Sequence, residues 1–218
     1  MTIRKDNHDL TKERILNEAE ALFAQKGFGA VSVREITCAA NCNLAAVNYH
    51  FRNKGNLYIE VFRVRWVPRA MRLQKHFRRS LAAQGPPSPT TVAQALAEAF
   101  LKGPLSDEER QRHFQLMTRE LGQPTEAFEI VADEVMRPFF EELASMLRPA
   151  MPKGLRSEQV LLNILSIFSM VLYFNFARVA ISRITGREYD AAFKNRLVKH
   201  IVEFSLKGLG GLEKEGLR

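Results

Sequence analysis

The chain has 218 residues, 46% of them hydrophobic, two cysteines and a formal net charge of +8. That length supports one or two domains with a proper core. Cysteines only four positions apart, Cys38 and Cys42, exclude a disulfide scaffold and, with no charged-then-apolar leader after Met1, point to a reduced cytoplasmic protein. The charge is unevenly placed: Met1 to Ser80 holds 15 Lys and Arg against 7 Asp and Glu, an excess of 8, whereas Leu81 to Arg218 holds 17 against 17. A basic first third joined to a neutral remainder suits a polyanion partner for the first part alone.

The start, "MTIRKDNHDLTKER", is polar and reads as a short flexible arm. The first helix follows in "TKERILNEAEALFAQKG", where Ile15, Ala19, Leu22 and Phe23 share one face, Thr11 is the expected N-cap and Gly27 the stop. A second helix over 32–40 begins at Ser32 and ends at Asn41, a residue that tolerates left-handed backbone. A third spans about 44–51. A long fourth helix, about 54–80, passes Pro68, where a kink is expected. The breaker cluster "AAQGPPSPT" closes this part. Further helices are expected at 90–102, 106–121, 125–147, 157–184 and 190–208, separated by Gly103-Pro104, Gly122-Gln123-Pro124, Met151-Pro152-Lys153-Gly154 and Thr185-Gly186. No strand-like alternation persists. The fold class is all-α, a three-helix head on a larger helical body. The expected division is 1–53 and 54–218, with helix 54–80 joining head to body.

Helix 32–40, the turn at 41–43 and helix 44–51 form a helix-turn-helix, whose second helix lies in the major groove of DNA while the first crosses the phosphate backbone. Small Ala45 and Ala46 allow a close approach to base edges, and Asn48 offers an amide. Tyr49, His50 and Lys54 are placed to reach phosphates. Phe51 turns inward toward Leu22, Phe23 and Ile36.

The pieces "ILNEAEALFAQKGFGAVSVREI" and "NYHFRNKGNLYIEVF" resemble the TetR family of bacterial transcriptional repressors, matching from about Thr11 to Phe62. Tyr49, His50, Phe51, Arg52, Lys54 and Leu57 stand at the family's spacing. Asn41 and Cys42 depart from the usual Gly and apolar residue, and Leu44 costs one polar base contact. The resemblance implies a homodimer with N-terminal DNA-binding heads on a palindromic operator and a C-terminal body that binds a small-molecule effector. Carried over by position, backbone and phosphate contacts fall to Ser32, Val33, Ala46, Tyr49, His50 and Lys54. Base-facing positions fall to Arg34, Leu44, Ala45 and Asn48; arginine is the commonest reader of guanine.

In the body, "VLLNILSIFSMVLYFNFARVAI" (160–181) is apolar nearly all round. Asn163, Ser166, Ser169, Asn175 and Arg178 interrupt it, so it reads as a helix buried on two sides rather than a membrane span. One stripe (Leu161, Leu165, Phe168, Leu172, Phe176, Val179) is expected to face its own subunit. Another (Asn163, Ser166, Met170, Tyr173, Ala177) is expected to face a second copy, as the family's paired last helices imply. "HFQLMTRELGQPTEAFEIVADEVMRPFFEEL" (113–143) is similar to the CecR-like group of that family. An effector site between the fourth helix and those after it would draw on Phe62, Trp66, Met71, Phe100 and Phe114. Met117, Phe128, Phe140, Phe168 and Tyr173 complete that set, a lining suited to an apolar or aromatic ligand. Arg119 and Glu120 read as a buried pair or a surface pair.

No Gly-rich phosphate loop, His-x-x-x-His pair or nucleophile motif occurs, so no enzyme, cofactor or metal site is expected. Cys38 and Cys42 read as packing residues; a redox pair is the alternative. The competing function is a helical interaction protein whose basic head binds acidic protein or lipid surfaces.

Overall fold

In a computed structural model of the chain, the described backbone covers residues 2–151 and 154–210, with side chains described from 9 to 151 and from 154 to 207. The elements there are α1 (Thr2–Lys26), α2 (Val33–Ala39), α3 (Leu44–Phe51), α4 (Lys54–Val61), α5 (Val67–Ala83), α6 (Pro89–Lys102), α7 (Asp107–Gly122) and α8 (Glu126–Val131). They continue as α9 (Arg137–Leu147), α10 (Ser157–Phe176), α11 (Arg178–Thr185) and α12 (Ala191–Gly210). The described residues contain helices and turns and no strand, as the periodicity predicts.

Side-chain caps set the starts of α2, α3, α4, α6, α7 and α8. The Ser88 hydroxyl accepts the Thr91 N–H while the Thr91 side chain accepts the Ser88 N–H, with Pro89 at the first helical position of α6. Ser106 and Glu109 form the same reciprocal pair at α7. Gly27, at φ +83°, stops α1, a conformation a side chain would strain.

Four expectations change. The segment before Thr11 is helical from Thr2, not an arm, since neither Pro nor Gly interrupts it. Helix 54–80 is not one kinked rod: a π turn at Phe62–Trp66 separates α4 from α5. A second π turn, Ala132–Met136, separates α8 from α9. Each precedes a proline at the second position of the next helix, Pro68 or Pro138. A proline ring meets the carbonyl four residues back, and the wider turn opens room there. Finally, 157–184 breaks at Ala177 (φ −86°, ψ 17°), because the Tyr189 hydroxyl takes the Phe174 carbonyl that a continuous helix would offer to residue 178.

The contacts divide the chain into two compact units. One runs to Ala70 and includes Ser106–Val135. Its core is Ile15, Leu16, Phe23, Ile36, Val47, Leu57, Val61 and Phe62, each essentially inaccessible. The other comprises Met71–Leu105 and the chain from Met136 on. There, small Ala93, Ala97 and Ala99 let α6 lie close against α10 and α12, around Leu73, Phe77, Leu96, Leu143, Ile164 and Ile201. Burying each large side chain contributes about 1.5–3 kcal/mol.

Candidate nucleic-acid interface

The α2–turn–α3 corner is built by local hydrogen bonds. Ser32 Oγ accepts the Glu35 N–H at 3.1 Å and caps α2. At its other end Asn41 has φ 48°. The Asn41 N–H reaches the Cys38 carbonyl and the Cys42 N–H reaches the Thr37 carbonyl, the paired bonds of a Schellman motif. Cys42 is thus the apolar residue that closes the motif. Asn43 then caps α3, its Oδ1 accepting the Ala46 N–H at 2.9 Å.

These bonds fix which face is free. Ile36, Ala40, Val47 and Phe51 point into the core. Ser32, Arg34, Leu44, Ala45, Asn48 and Tyr49 are exposed; Tyr49 is 73% accessible and so does not pack beneath its helix. Val33, Ala46, His50 and Lys54 are half-buried. The Tyr49 and His50 rings meet edge to face at 5.3 Å. Between Glu20 and Glu60 the sequence carries one carboxylate, Glu35. Lys26 holds it at 2.5 Å and draws its pKa below the usual carboxylate value. The exposed face of α3 therefore meets no uncompensated acid on its own corner.

The link from α3 to α4 is strained. Arg52 adopts φ 69°, ψ −49°, and the Asn53 N–H reaches the Phe51 carbonyl at 2.8 Å, a γ-turn of the rare kind. Asn53 then caps α4, accepting the Asn56 N–H at 2.8 Å. Lys54, expected at a phosphate, also has partners inside the head. Its ammonium donates to the carbonyls of Phe28 and Val31, both at 2.9 Å, and lies 4.3 Å from the centre of the Phe28 ring. Two of its three donors are spent closing the α1–α2 loop.

Helix α7 holds this corner from behind. Glu120, 1% exposed, accepts the Tyr58 hydroxyl at 2.6 Å and the Thr125 N–H at 2.9 Å. Arg119 donates to the Gln25 carbonyl at 2.6 Å, near the end of α1. Glu20, also buried, binds Arg69 through both oxygens and Arg112 at 3.4 Å. Sequence reading noted Arg119 and Glu120 without their partners. Neither the Glu120–Tyr58 separation of 62 residues nor the role of Phe28 carries a local signal.

The ten residues expected to line an effector site divide between the units. In the first, Trp66 stacks on His113 at 4.5 Å and donates its indole N–H to the His113 carbonyl, with Phe62, Phe114 and Met117 buried nearby in the chain and Phe128 half-buried. In the second, the Phe168 ring stands perpendicular to those of Phe100 and Phe140, both at 5.1 Å. Met71 and Tyr173 are exposed instead, at 42% and 52%.

On α10 the expected inward stripe is rotated. The buried residues are Val160, Ile164, Ile167, Val171 and Asn175. Leu161, Leu165, Phe176 and Val179 are exposed, and Phe168 and Leu172 half-buried. A helix apolar on every side gives no moment to choose between faces, and packing seats the β-branched row. Of the expected partner-facing residues, Ser166 and Tyr173 are exposed and Asn163, Met170 and Ala177 half-buried. By length and composition α10 is the one helix among the described residues able to cross a membrane. No cluster of three potential metal ligands occurs among those residues.

Residues 15–61 match the model for bacterial regulatory proteins of the tetR family, and residues 89–209 match that for the C-terminal domain of the HTH-type transcriptional dual regulator CecR. The chain is similar to CecR of Shigella flexneri, 24% identical with 96% of each protein covered. It is also similar to the probable HTH-type transcriptional regulator YttP of Bacillus subtilis, 49% identical over 47 residues, 22% of this chain and 23% of that one. Among solved structures it resembles the TetR family regulator PfmR of Thermus thermophilus, with a TM-score of 0.59, 21% identity and coverage of 90% and 94%. A tetR family protein of Rhodococcus RHA1 also reaches 0.59, at 17% identity and coverage of 91% and 96%.

Proposed function

This chain belongs to the TetR family of bacterial regulatory proteins and is a DNA-binding transcription regulator rather than an enzyme, and we propose that it is a cytoplasmic repressor that binds a palindromic operator as a homodimer and is released by a small apolar or aromatic effector. The observation that carries the reading is the exposed face of α3. Leu44, Ala45, Asn48 and Tyr49 are exposed on a helix whose opposite side, Val47 and Phe51, is buried in the core. Arg34 and Asn48 read base edges, and Ser32, Val33, Ala46, Tyr49 and His50 meet the backbone. The functional head is residues 1–53, with 54–218 serving effector and dimer. Two heads must meet half-sites about 34 Å apart, and the two-fold symmetry of the pair sets the operator's palindromy.

For the dimer, the supporting feature is the exposed apolar row of α10, with Asn163, Ser166 and Ser169 among it. Such polar interruptions suit a second protein copy better than lipid. For the effector, support comes from the aromatic residues around Trp66. A ligand releases DNA only by favouring the conformation that does not bind it.

Footprinting on DNA upstream of the protein's own coding sequence tests the main reading. Protection of two symmetric half-sites about one helical turn apart is expected at physiological salt. Uniform, unlocalised protection that vanishes with added salt would reject sequence reading. Trp66 is the only tryptophan, so an aromatic compound that dissociates the DNA is expected to shift its emission at the same concentration. Dissociation with unchanged emission would place the effector elsewhere.

A further inference from the structure

We propose that Glu120, far outside the helix-turn-helix, is a positioning residue for DNA binding, setting the placement of α2 and α3 through the Tyr58 hydroxyl. The inference rests on the DNA-binding reading and extends it to a residue of α7.

The connection is continuous. The Glu120 carboxylate is pinned at the α7–α8 corner by the Thr125 N–H at 2.9 Å and the Thr125 hydroxyl at 3.0 and 3.1 Å, while the same hydroxyl caps α8 through the Ala127 N–H. It therefore sits where one rigid capping structure fixes it. From there it accepts the Tyr58 hydroxyl at 2.6 Å. Burial, then the bond to Glu120, pushes the Tyr58 phenol well above its usual range, so it remains a donor at any ordinary pH. The Tyr58 ring meets Phe23 edge-on at 4.9 Å and Phe28 at 5.0 Å. Phe28 supports the Lys54 ammonium, which holds the Phe28 and Val31 carbonyls. Val31, buried, precedes Ser32, the N-cap of α2. A shift of the α7–α8 corner thus reaches the first DNA-facing helix through two hydrogen bonds, at Glu120 and at the Val31 carbonyl, with Tyr58, Phe28 and Lys54 packed in series between them. Ser106–Val135 packs in the same compact unit as the helix-turn-helix.

Two variants isolate the link. Tyr58→Phe removes one oxygen and keeps the ring. Glu120→Gln keeps an acceptor for Tyr58 but places an amide against the Thr125 N–H. Hydrogen exchange of the full-length protein, read at residues 33–51, is expected to speed up about tenfold in each, the order of one lost bond to a charged group. Exchange in α12 should stay as in the unaltered chain. Because the surface charge near α3 is unchanged, binding to a duplex of arbitrary sequence at low salt should also be unchanged, while affinity for the footprinted fragment falls about tenfold. Faster exchange confined to residues 120–127 and 58, with 33–51 as before, would overturn the proposal. Faster exchange everywhere, α12 included, would overturn it too, reducing Glu120 to a general stabiliser. If the unaltered protein fails to bind even the arbitrary duplex, the DNA reading fails, and the exchange data still decide whether Glu120 positions α2.

Discussion

Helices α3 and α10 both leave one face uncovered, and the two faces are opposite in kind. On α3 the exposed residues besides Leu44 are small or polar around Tyr49, on a helix of 8 residues flanked by Asn43 and Arg52. On α10 the large ones are Leu161, Leu162, Leu165, Tyr173 and Phe176, with Ser166 and Ser169 between them, on a helix of 20 residues with no side-chain cap. The short helix is placed by hydrogen bonds and a strained turn, so its geometry is fixed before any partner arrives. The long helix is placed by packing on one side only. A charged polymer needs the first kind of surface, because directional contacts reward fixed geometry. A second apolar surface rewards area removed from water.

Putting a charge on the long face should have the largest effect. Leu165→Arg or Tyr173→Arg would bury an unpaired cation in a copy-to-copy seam, costing about 3–5 kcal/mol. Light scattering should then give half the mass of the unaltered protein; an unchanged mass would mean the seam lies elsewhere. On the short face the effects are smaller and selective. Arg34→Ala should weaken the footprinted DNA by about 1–3 kcal/mol and arbitrary DNA far less. Equal losses on both would remove Arg34 from base reading.

Lys54→Ala separates scaffold from surface. Losing two charge-assisted bonds to carbonyls should lower stability by roughly 1.5–3 kcal/mol, seen as an earlier thermal midpoint. The salt dependence of DNA binding should stay put. A salt slope reduced by about one unit would instead restore Lys54 to the phosphates. The smallest effect should be Arg52→Gly. Relief of a strained turn, about 1–3 kcal/mol, is partly offset by glycine's entropy, about 0.5–1 kcal/mol. A net gain of about 1 kcal/mol would raise the melting midpoint by a few degrees; a lower midpoint would show that the turn is not strained.

What the sequence disclosed follows the range of the interaction. Ser32, Asn41 and Gly27 act within a few residues, and each set the helix end expected of it. The free face of α3 was legible for the same reason, since alternation of Val47 and Phe51 with polar neighbours marks the inside. The exposed side of α10 was not legible, because its residues are apolar on every side and only the seats on α6, α9 and α12 decide the rotation. The hold of Lys54 on the Phe28 and Val31 carbonyls was not legible, because no side-chain pattern reveals a backbone target. The π turns escaped because Pro68 and Pro138 announce a disturbance without specifying whether the helix bends or widens.

The unit that holds the helix-turn-helix is discontinuous, and this orders the events of its synthesis. Residues up to Ala70 leave the ribosome first, but Arg119, Glu120 and Thr125 follow only after a stretch, Met71–Leu105, that belongs to the other unit. Until they appear, the Tyr58 hydroxyl and the Gln25 carbonyl have no α7 partner. At about 5–20 residues per second the nascent head waits several seconds in an incomplete state. The bonds that join Tyr58 and Thr125 to Glu120 close only once α8 has followed.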